Sequence, residues 1–256
     1  MLFTKSIVPN FFTLMNVFMG FCSILFMSEG KLFQAGIAVL MAAVFDSLDG
    51  VVARMLKATS ELGAELDSLC DAVSFGIAPA FMLYKVYFYQ FESYGVILAA
   101  LPALAGVVRL ARFNVNLVSF DDKLYFTGLP VPGAALTIIG FLLFFKDSAC
   151  FNKDFEFVTY ILISLVVSYA MISTIKFDNL PRFSKKYIKK KPVVFTIFIL
   201  GVIICLVTKG VGIFPFMLFY IIVSGIRHLV VWIKLTINAE DEIDENENKK
   251  NFTQLD

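Results

Sequence analysis

Charge is what this chain has least of. Asp, Glu, Lys and Arg make up 17% of its 256 residues, while 59% are hydrophobic. A soluble domain carries about 25% charged and about 45–50% apolar residues. Together with a mean hydropathy of +0.80, this excludes a soluble fold with a large core and implies a polytopic membrane protein. Histidine and tryptophan occur once each. The four cysteines (Cys22, Cys70, Cys150, Cys205) are far apart and form no CxxC. That leaves no spacing for a zinc site or a disulfide framework, and they read as small buried hydrophobes. A net charge of +1 gives no global field to attract a nucleic acid, so none is expected as a partner. No internal repeat recurs at a fixed period. A Lys precedes the first apolar run, but no small-x-small cleavage site follows it, so a retained span is expected rather than a signal peptide.

What is present is apolar sequence in lengths that suit a bilayer, whose hydrocarbon core of about 30 Å needs roughly 20 helical residues. Eight spans are expected, over 8–27, 31–56, 65–88, 93–113, 130–146, 155–175, 193–208 and 211–235. The fifth and seventh are short, so six or seven spans also fit. The expected fold class is all-α, a polytopic transmembrane helix bundle over 1–237, followed by a polar, disordered cytosolic tail over 238–256. With both termini in the cytosol, all of the 22 Lys and Arg residues except Lys31, Lys85, Lys146, Lys153 and Lys209 fall on the cytosolic side, as the positive-inside rule asks. The basic run 182–191 is then a topology determinant, with attraction to anionic lipid as its alternative. Trp232 fits an interfacial anchor, and His228 an interior residue of the last span.

Against this background four carboxylates stand out within 46–71. Asp46 and Asp49 lie near the end of the second span, Asp67 and Asp71 near the start of the third. Charge in membrane sequence is costly and marks function. Helical spacing puts Asp46, Asp49 or Gly50, and Ala53 on one face, and Asp67 and Asp71 on one face of the next helix. Two antiparallel helices would bring the acids together, where they repel unless cations hold them. Carboxylate oxygens with no His or Cys nearby suit Mg²⁺ or Mn²⁺, and two such ions could clamp a pyrophosphoryl group. Gly50 and Ala53 keep the face open, and Arg54 and Lys57 can pair with phosphate oxygens. Two other readings remain at this point: a hairpin whose acids simply pair with Arg54 and Lys57, and a cation pathway in a transporter.

The residues stand as Asp46-x2-Asp49-Gly50-x2-Ala53-Arg54-x8-Gly63-x3-Asp67-x3-Asp71. This resembles the signature of the CDP-alcohol phosphotransferase superfamily at every fixed position. From average residue frequencies, chance agreement is on the order of one in ten billion per window. The resemblance implies an enzyme that moves a phosphatidyl group from a CDP-linked lipid to an alcohol, releasing CMP. It implies that Asp46, Asp49, Asp67 and Asp71 hold a pair of divalent ions, Mg²⁺ or Mn²⁺. Asp71 would also be the catalytic base. It further implies that Asn10, Thr13, Asp46, Asp49, Gly50, Ala53, Arg54, Ser60 and Gly63 contact CDP-diacylglycerol, and that the enzyme is a homodimer among membrane lipids with its site facing the cytosol.

Blocks around the motif narrow the resemblance. The segments from Val8 to Asn16, from Leu66 to Pro79, from Arg109 to Asn114 and from Phe126 to Pro132 are similar to the membrane-integral phosphatidylserine synthases of bacteria and archaea. This implies L-serine as acceptor. Asn10, Thr13 and Asn16 step by three along one helical face, which favours a polar groove, although Pro9-Asn10 also suits a helix start. Arg109 and Arg112 step by three as well. Either is a candidate for the serine carboxylate, with Asn114, Thr127 and Gly128 as further serine-binding candidates, or both are positive-inside anchors. The Gly- and Pro-rich 126–132 loop is either a turn into the fifth span or a cap on the acceptor pocket. Glycerol 3-phosphate or inositol phosphate as acceptor, and an archaeal-type lipid as donor, stay open, because the motif reads the CDP group and not the rest.

Overall fold

In a computed structural model, the described residues are 2–58, 60–116, 125–145, 153–178, 207, 208, 210, 212–231 and 233. The seventh expected span lies almost wholly outside them. The basic run 182–191, Trp232 and the tail over 238–256 lie outside them entirely.

Six helices among the described residues are long and apolar enough to cross a membrane: Ile7–Ser28, Leu32–Leu56, Glu61–Val86, Phe88–Val115, Phe155–Ile172 and Ile213–Val231. They coincide with six of the expected spans, and the chain is an integral membrane helix bundle. The fifth expected span is also helical, over Val131–Phe145, but at 15 residues it is shorter than a straight crossing requires.

Helix α1 (Leu2–Ser28) and helix α2 (Leu32–Leu56) form a hairpin along their length. The turn works because Gly30 takes a positive φ of 76°, which lets the Lys31 N–H reach the Phe26 carbonyl at 2.9 Å. This is the left-handed helix ending that glycine makes inexpensive. Helix α1 runs unbroken through Pro9. The alternative of a helix start at Pro9-Asn10 is therefore corrected: Asn10 lies inside the helix, on the face it shares with Thr13. At the far end of α2, Lys57 adopts φ 49°, and the Ala58 N–H closes on the Ala53 carbonyl at 3.0 Å.

Helix α3 (Glu61–Asp71) begins at Ser60, whose Oγ accepts the Gly63 N–H at 3.0 Å. A serine N-cap of this kind satisfies one of the donors that every helix start leaves open. It also explains why the helix begins four residues before the expected span. A single turn of π-helix (Ala72–Ile77) follows, then α4 (Ala78–Val86). This third crossing is the most enclosed of the six, and the first, second and fourth crossings pack against it.

Helix α5 (Glu92–Asn116) carries Pro102 in its interior. Proline has no N–H for the carbonyl four residues back, which here is Leu98. The Ser164 hydroxyl of α7 (Lys153–Ile172) donates to that carbonyl at 2.5 Å, so a lesion in one helix is repaired from its neighbour. Helix α6 (Val131–Phe145) buries Val131, Ala134, Ile138, Ile139, Phe141 and Leu142. Helix α8 (Ile213–Val231) crosses it where Gly140 meets Phe214.

The helical class holds with one addition. Strands β1 (Tyr125–Thr127) and β2 (Lys176–Asp178) pair antiparallel, with Phe126 opposite Phe177. This ribbon ties the connection before α6 to the one after α7. It lies at the bundle end that also carries the start of α3 and the end of α5.

Candidate active site

Four helices converge at that end. Helix α2 presents Asp46 and Asp49 one turn apart, and α3 presents Asp67 and Asp71 one turn apart. The two pairs lie face to face. Carboxylate oxygens of Asp46, Asp49 and Asp67 lie within 4.8 Å of one another. The Asp46 carboxyl is also within hydrogen-bonding reach of Asp71. Asp49 and Asp71 are buried, and Asp46 and Asp67 are half-buried.

Helix α1 supplies the supports. Its buried stripe runs Pro9, Thr13, Asn16, Gly20, Ser23 and Met27, a helical period with little apolar bulk until its last member. The Thr13 hydroxyl lies 2.8 Å from Asp49 Oδ2 and 3.2 Å from the Pro9 carbonyl. Asn16 is fully buried and donates its Nδ2 to Asp71 Oδ1 at 3.0 Å. Its backbone carbonyl accepts the Ser74 hydroxyl at 2.9 Å. Ser74 sits in the π turn that begins directly after Asp71, so side chain and backbone of Asn16 together fix the end of α3.

Between these elements lies a cleft of about 180 Å³. Its walls include Asn10, Thr13, Asp49, Gly50, Ala53, Ser60, Gly63 and Asp67. All of these but Asp67, which was expected as a metal ligand, are among the residues expected to contact the CDP-linked lipid. The small ones keep it open. A Cβ on Gly63 would come within 3.1 Å of Ser60 Oγ and 3.7 Å of Asn10 Oδ1, and a Cβ on Gly50 within 3.7 Å of the Arg54 guanidinium. Asp46, Asp71, Arg54 and Arg109 are not part of the lining. Arg54 is exposed at the edge, where its charge is felt by Asp49.

The donor set fits a hard divalent ion. Among the described residues no Lys or Arg forms an ion pair with any of the four acids; the ion pair found there is Lys31 with Glu29. A hairpin stabilised by acids pairing with Arg54 and Lys57 is therefore not what forms. Asp67 Oδ1 is buried with no hydrogen-bond partner. An unpaired carboxylate oxygen beside two other carboxylates is costly unless a cation occupies the space between them. Oxygen-only donors select Mg²⁺ or Mn²⁺ over softer metals.

The candidates for serine separate. Arg109 is buried, its Nε lacks a partner, and its charge reaches Asp71. Arg112 is exposed and donates to the Ile172 carbonyl at 2.8 Å, so in this arrangement it ties the end of α5 to the end of α7. Asn114 accepts from the Ser68 hydroxyl at 3.1 Å and approaches Glu65 at 3.5 Å, a link between α5 and α3. Gly128 takes φ 80°, and a Cβ there would run into the Met171 carbonyl. Its N–H bonds the Ile175 carbonyl and the Leu129 N–H bonds that of Ala170, both at 2.9 Å. These two amides are thus committed to holding the end of α7, and the 126–132 segment is a docked turn into α6. Thr127 pairs through its backbone with Lys176 in the ribbon; its side chain is not among those described.

Asn16 is the residue that sequence reasoning placed on the right face without giving it a role. Its spacing from Thr13 was the available signal; its partner, 55 positions away, was not.

The comparisons agree with this geometry. The family model described as CDP-alcohol phosphatidyltransferase matches residues 6–175. A CDP-diacylglycerol–serine O-phosphatidyltransferase of Helicobacter pylori is 31% identical over 90% of this chain and 94% of its own. A protein of the same name from Methanocaldococcus jannaschii is 34% identical over 82% of this chain and 88% of its own. An archaetidylserine synthase of Methanothermobacter thermautotrophicus is 38% identical over 67% and 70%. With a matching motif, a matching model and relatives alike along most of their length, the chain belongs to the CDP-alcohol phosphatidyltransferase family.

Proposed function

We propose that this protein transfers the phosphatidyl group of CDP-diacylglycerol to the hydroxyl of L-serine, giving phosphatidylserine and CMP. The observation that carries the reading is the convergence of Asp46, Asp49 and Asp67 with no protein cation among them, beside a cleft lined by small residues. Serine as acceptor is supported by the names of the relatives, bacterial and archaeal.

In this reading Asp46, Asp49 and Asp67, with Asp71, would hold two divalent ions. When bound, Mg²⁺ or Mn²⁺ would neutralise the pyrophosphate oxygens that gain charge during transfer. The cleft seats the CDP group, with Asn10, Ser60 and Gly63 on one wall and Gly50 and Ala53 on the other. Arg54 meets phosphate oxygens from the edge. The serine hydroxyl oxygen forms the new bond to the β-phosphorus. The bond from that phosphorus to the CMP oxygen breaks, and CMP leaves with the electron pair. The hydroxyl proton passes to the Asp71 carboxylate, which Asn16 holds in place. Phosphoryl transfer asks chiefly for such positioning and charge balance.

The site end of the bundle faces the cytosol in this reading, since Arg54, Lys57, Arg109 and Arg112 cluster there, and both termini lie on that side. A homodimer, expected from the resemblance, is part of the proposal and is checked by crosslinking in native membranes. The decisive assay uses purified protein, CDP-diacylglycerol and Mn²⁺, with serine, glycerol 3-phosphate or inositol phosphate in turn. CMP release with serine alone is expected, and release with another acceptor instead would displace the reading. Turnover undiminished in excess EDTA would remove the metal ions from it.

A further inference from the structure

Among the described residues three buried side-chain atoms lack a hydrogen-bond partner: Asp67 Oδ1, Asn16 Oδ1 and Arg109 Nε. Native proteins leave few such atoms, and each asks for an explanation. All three lie around the acid cluster. The first would be satisfied by the divalent ions of the proposed function. The other two are tied to Asp71 in different ways: Asn16 is bonded to it, and Arg109, on α5, feels its charge.

These two orphans are of opposite kind. A carboxylate only accepts, so the Asn16 atom that bonds Asp71 must be its NH₂ group, and the atom left over is a carbonyl oxygen, an acceptor. The Arg109 atom is a donor carrying charge. The missing ligand therefore brings a donor to Asn16 and an acceptor to Arg109. A zwitterionic amino acid brings both, as ammonium and carboxylate. The spacing agrees. The two polar atoms of an amide sit side by side, so Asn16 Oδ1 lies next to the carboxylate that would take the hydroxyl proton. In serine the ammonium and the hydroxyl stand on adjacent carbons. One small molecule can present its hydroxyl to Asp71 and its ammonium to Asn16 together.

We infer that Asn16 is a specificity-determining residue, accepting the ammonium group of the acceptor amino acid through Oδ1 while its Nδ2 holds Asp71. This rests on the proposed function and deepens it. Phosphate-bearing alcohols offer no ammonium to that oxygen, whereas an amino acid fills it with a charge-assisted bond.

The test compares L-serine with 3-hydroxypropanoate, which is serine without its amino group, at saturating CDP-diacylglycerol and Mn²⁺. In the wild type, kcat/KM for serine is expected to exceed that for 3-hydroxypropanoate on the order of 10- to 100-fold, the value of a hydrogen bond to a charged group. In Asn16→Ala the ratio collapses toward one. A purely structural role would lower both substrates alike, so a preserved ratio in that variant overturns the inference. Equal use of both substrates by the wild type overturns it with no variant needed. If Asn16→Ala does not purify folded, Asn16→Ser carries the same comparison. Serine use with an unchanged ratio counts against this inference alone; no serine-dependent CMP release from the wild type counts against the proposed function.

Discussion

Helices α1 and α6 bury opposite kinds of surface. The hidden face of α6 is apolar nearly throughout, and its one buried hydroxyl, Thr137, bonds the Gly133 carbonyl of its own helix at 2.8 Å. The hidden face of α1 is polar or small from Pro9 to Ser23, and Thr13 and Asn16 reach across to two other helices. Both helices are apolar over most of their length, so composition does not separate them. In a bilayer, apolar contact between helices has no water to escape from and works through close packing alone. A polar atom turned inward must therefore meet a partner or a ligand. The contrast teaches which helix to follow: α6 holds the bundle together, and α1 sets the geometry of the acids.

That division can be broken from either side. The largest effect is expected at the acid that α1 holds. Asp71→Asn keeps nearly the same shape but cannot accept the proton. CMP release should fall by about 10²–10⁴-fold while CDP-diacylglycerol binding, measured by calorimetry in detergent, is retained; a near-wild-type rate would take the base away from Asp71. Next is Thr13→Val, which preserves volume and removes the hydroxyl beside Asp49. Supports of this kind typically change metal affinity by about 10–100-fold, so the Mn²⁺ concentration for half-maximal activity should rise by that factor while kcat at saturating Mn²⁺ changes little. An unchanged Mn²⁺ requirement would make Thr13 a contact of the nucleotide alone.

On the scaffold side the expected changes are in stability. Ile138→Ala opens a cavity in the α6 face and should cost about 1–3 kcal/mol, chiefly as lost packing. It should appear as a lower unfolding temperature in detergent with turnover per folded molecule intact. Smallest is Ser164→Ala, which leaves the Leu98 carbonyl without its substitute donor. It should cost about 1 kcal/mol, read in the same unfolding assay, and Pro102→Ala in the same chain should restore it by giving α5 back its own N–H. If Ile138→Ala abolished catalysis in folded protein, or Thr13→Val only lowered stability, α1 and α6 would not differ as described.

Much of this was legible in the residues. The four acids announced themselves by being charged in apolar sequence, and periodicity put them on facing helices because two residues one turn apart share a side in any helix. Span lengths followed from bilayer thickness. What escaped has a physical cause in each case. The ribbon of Tyr125–Thr127 with Lys176–Asp178 is too short to show a strand period. Arg112 looked equivalent to Arg109, because spacing fixes the side of a helix and not what stands opposite; one reaches a helix end and the other is buried where the charge of Asp71 is felt. Gly128 looked like a loop glycine near a ligand, and the carbonyl it makes room for belongs to Met171.

The π turn over Ala72–Ile77 has a consequence for how the third crossing is written. One added residue in a helix rotates everything beyond it by roughly 100°, and a π turn is such an addition absorbed locally. The crossing thus carries two phases along a single axis. The half before the turn aims Asp67 and Asp71 at their partners, and the half after it aims Ala78, Met82 and Leu83 into the bundle. Removing a single residue from the turn would close it to regular helix and shift by one position which residues of the second half face the bundle.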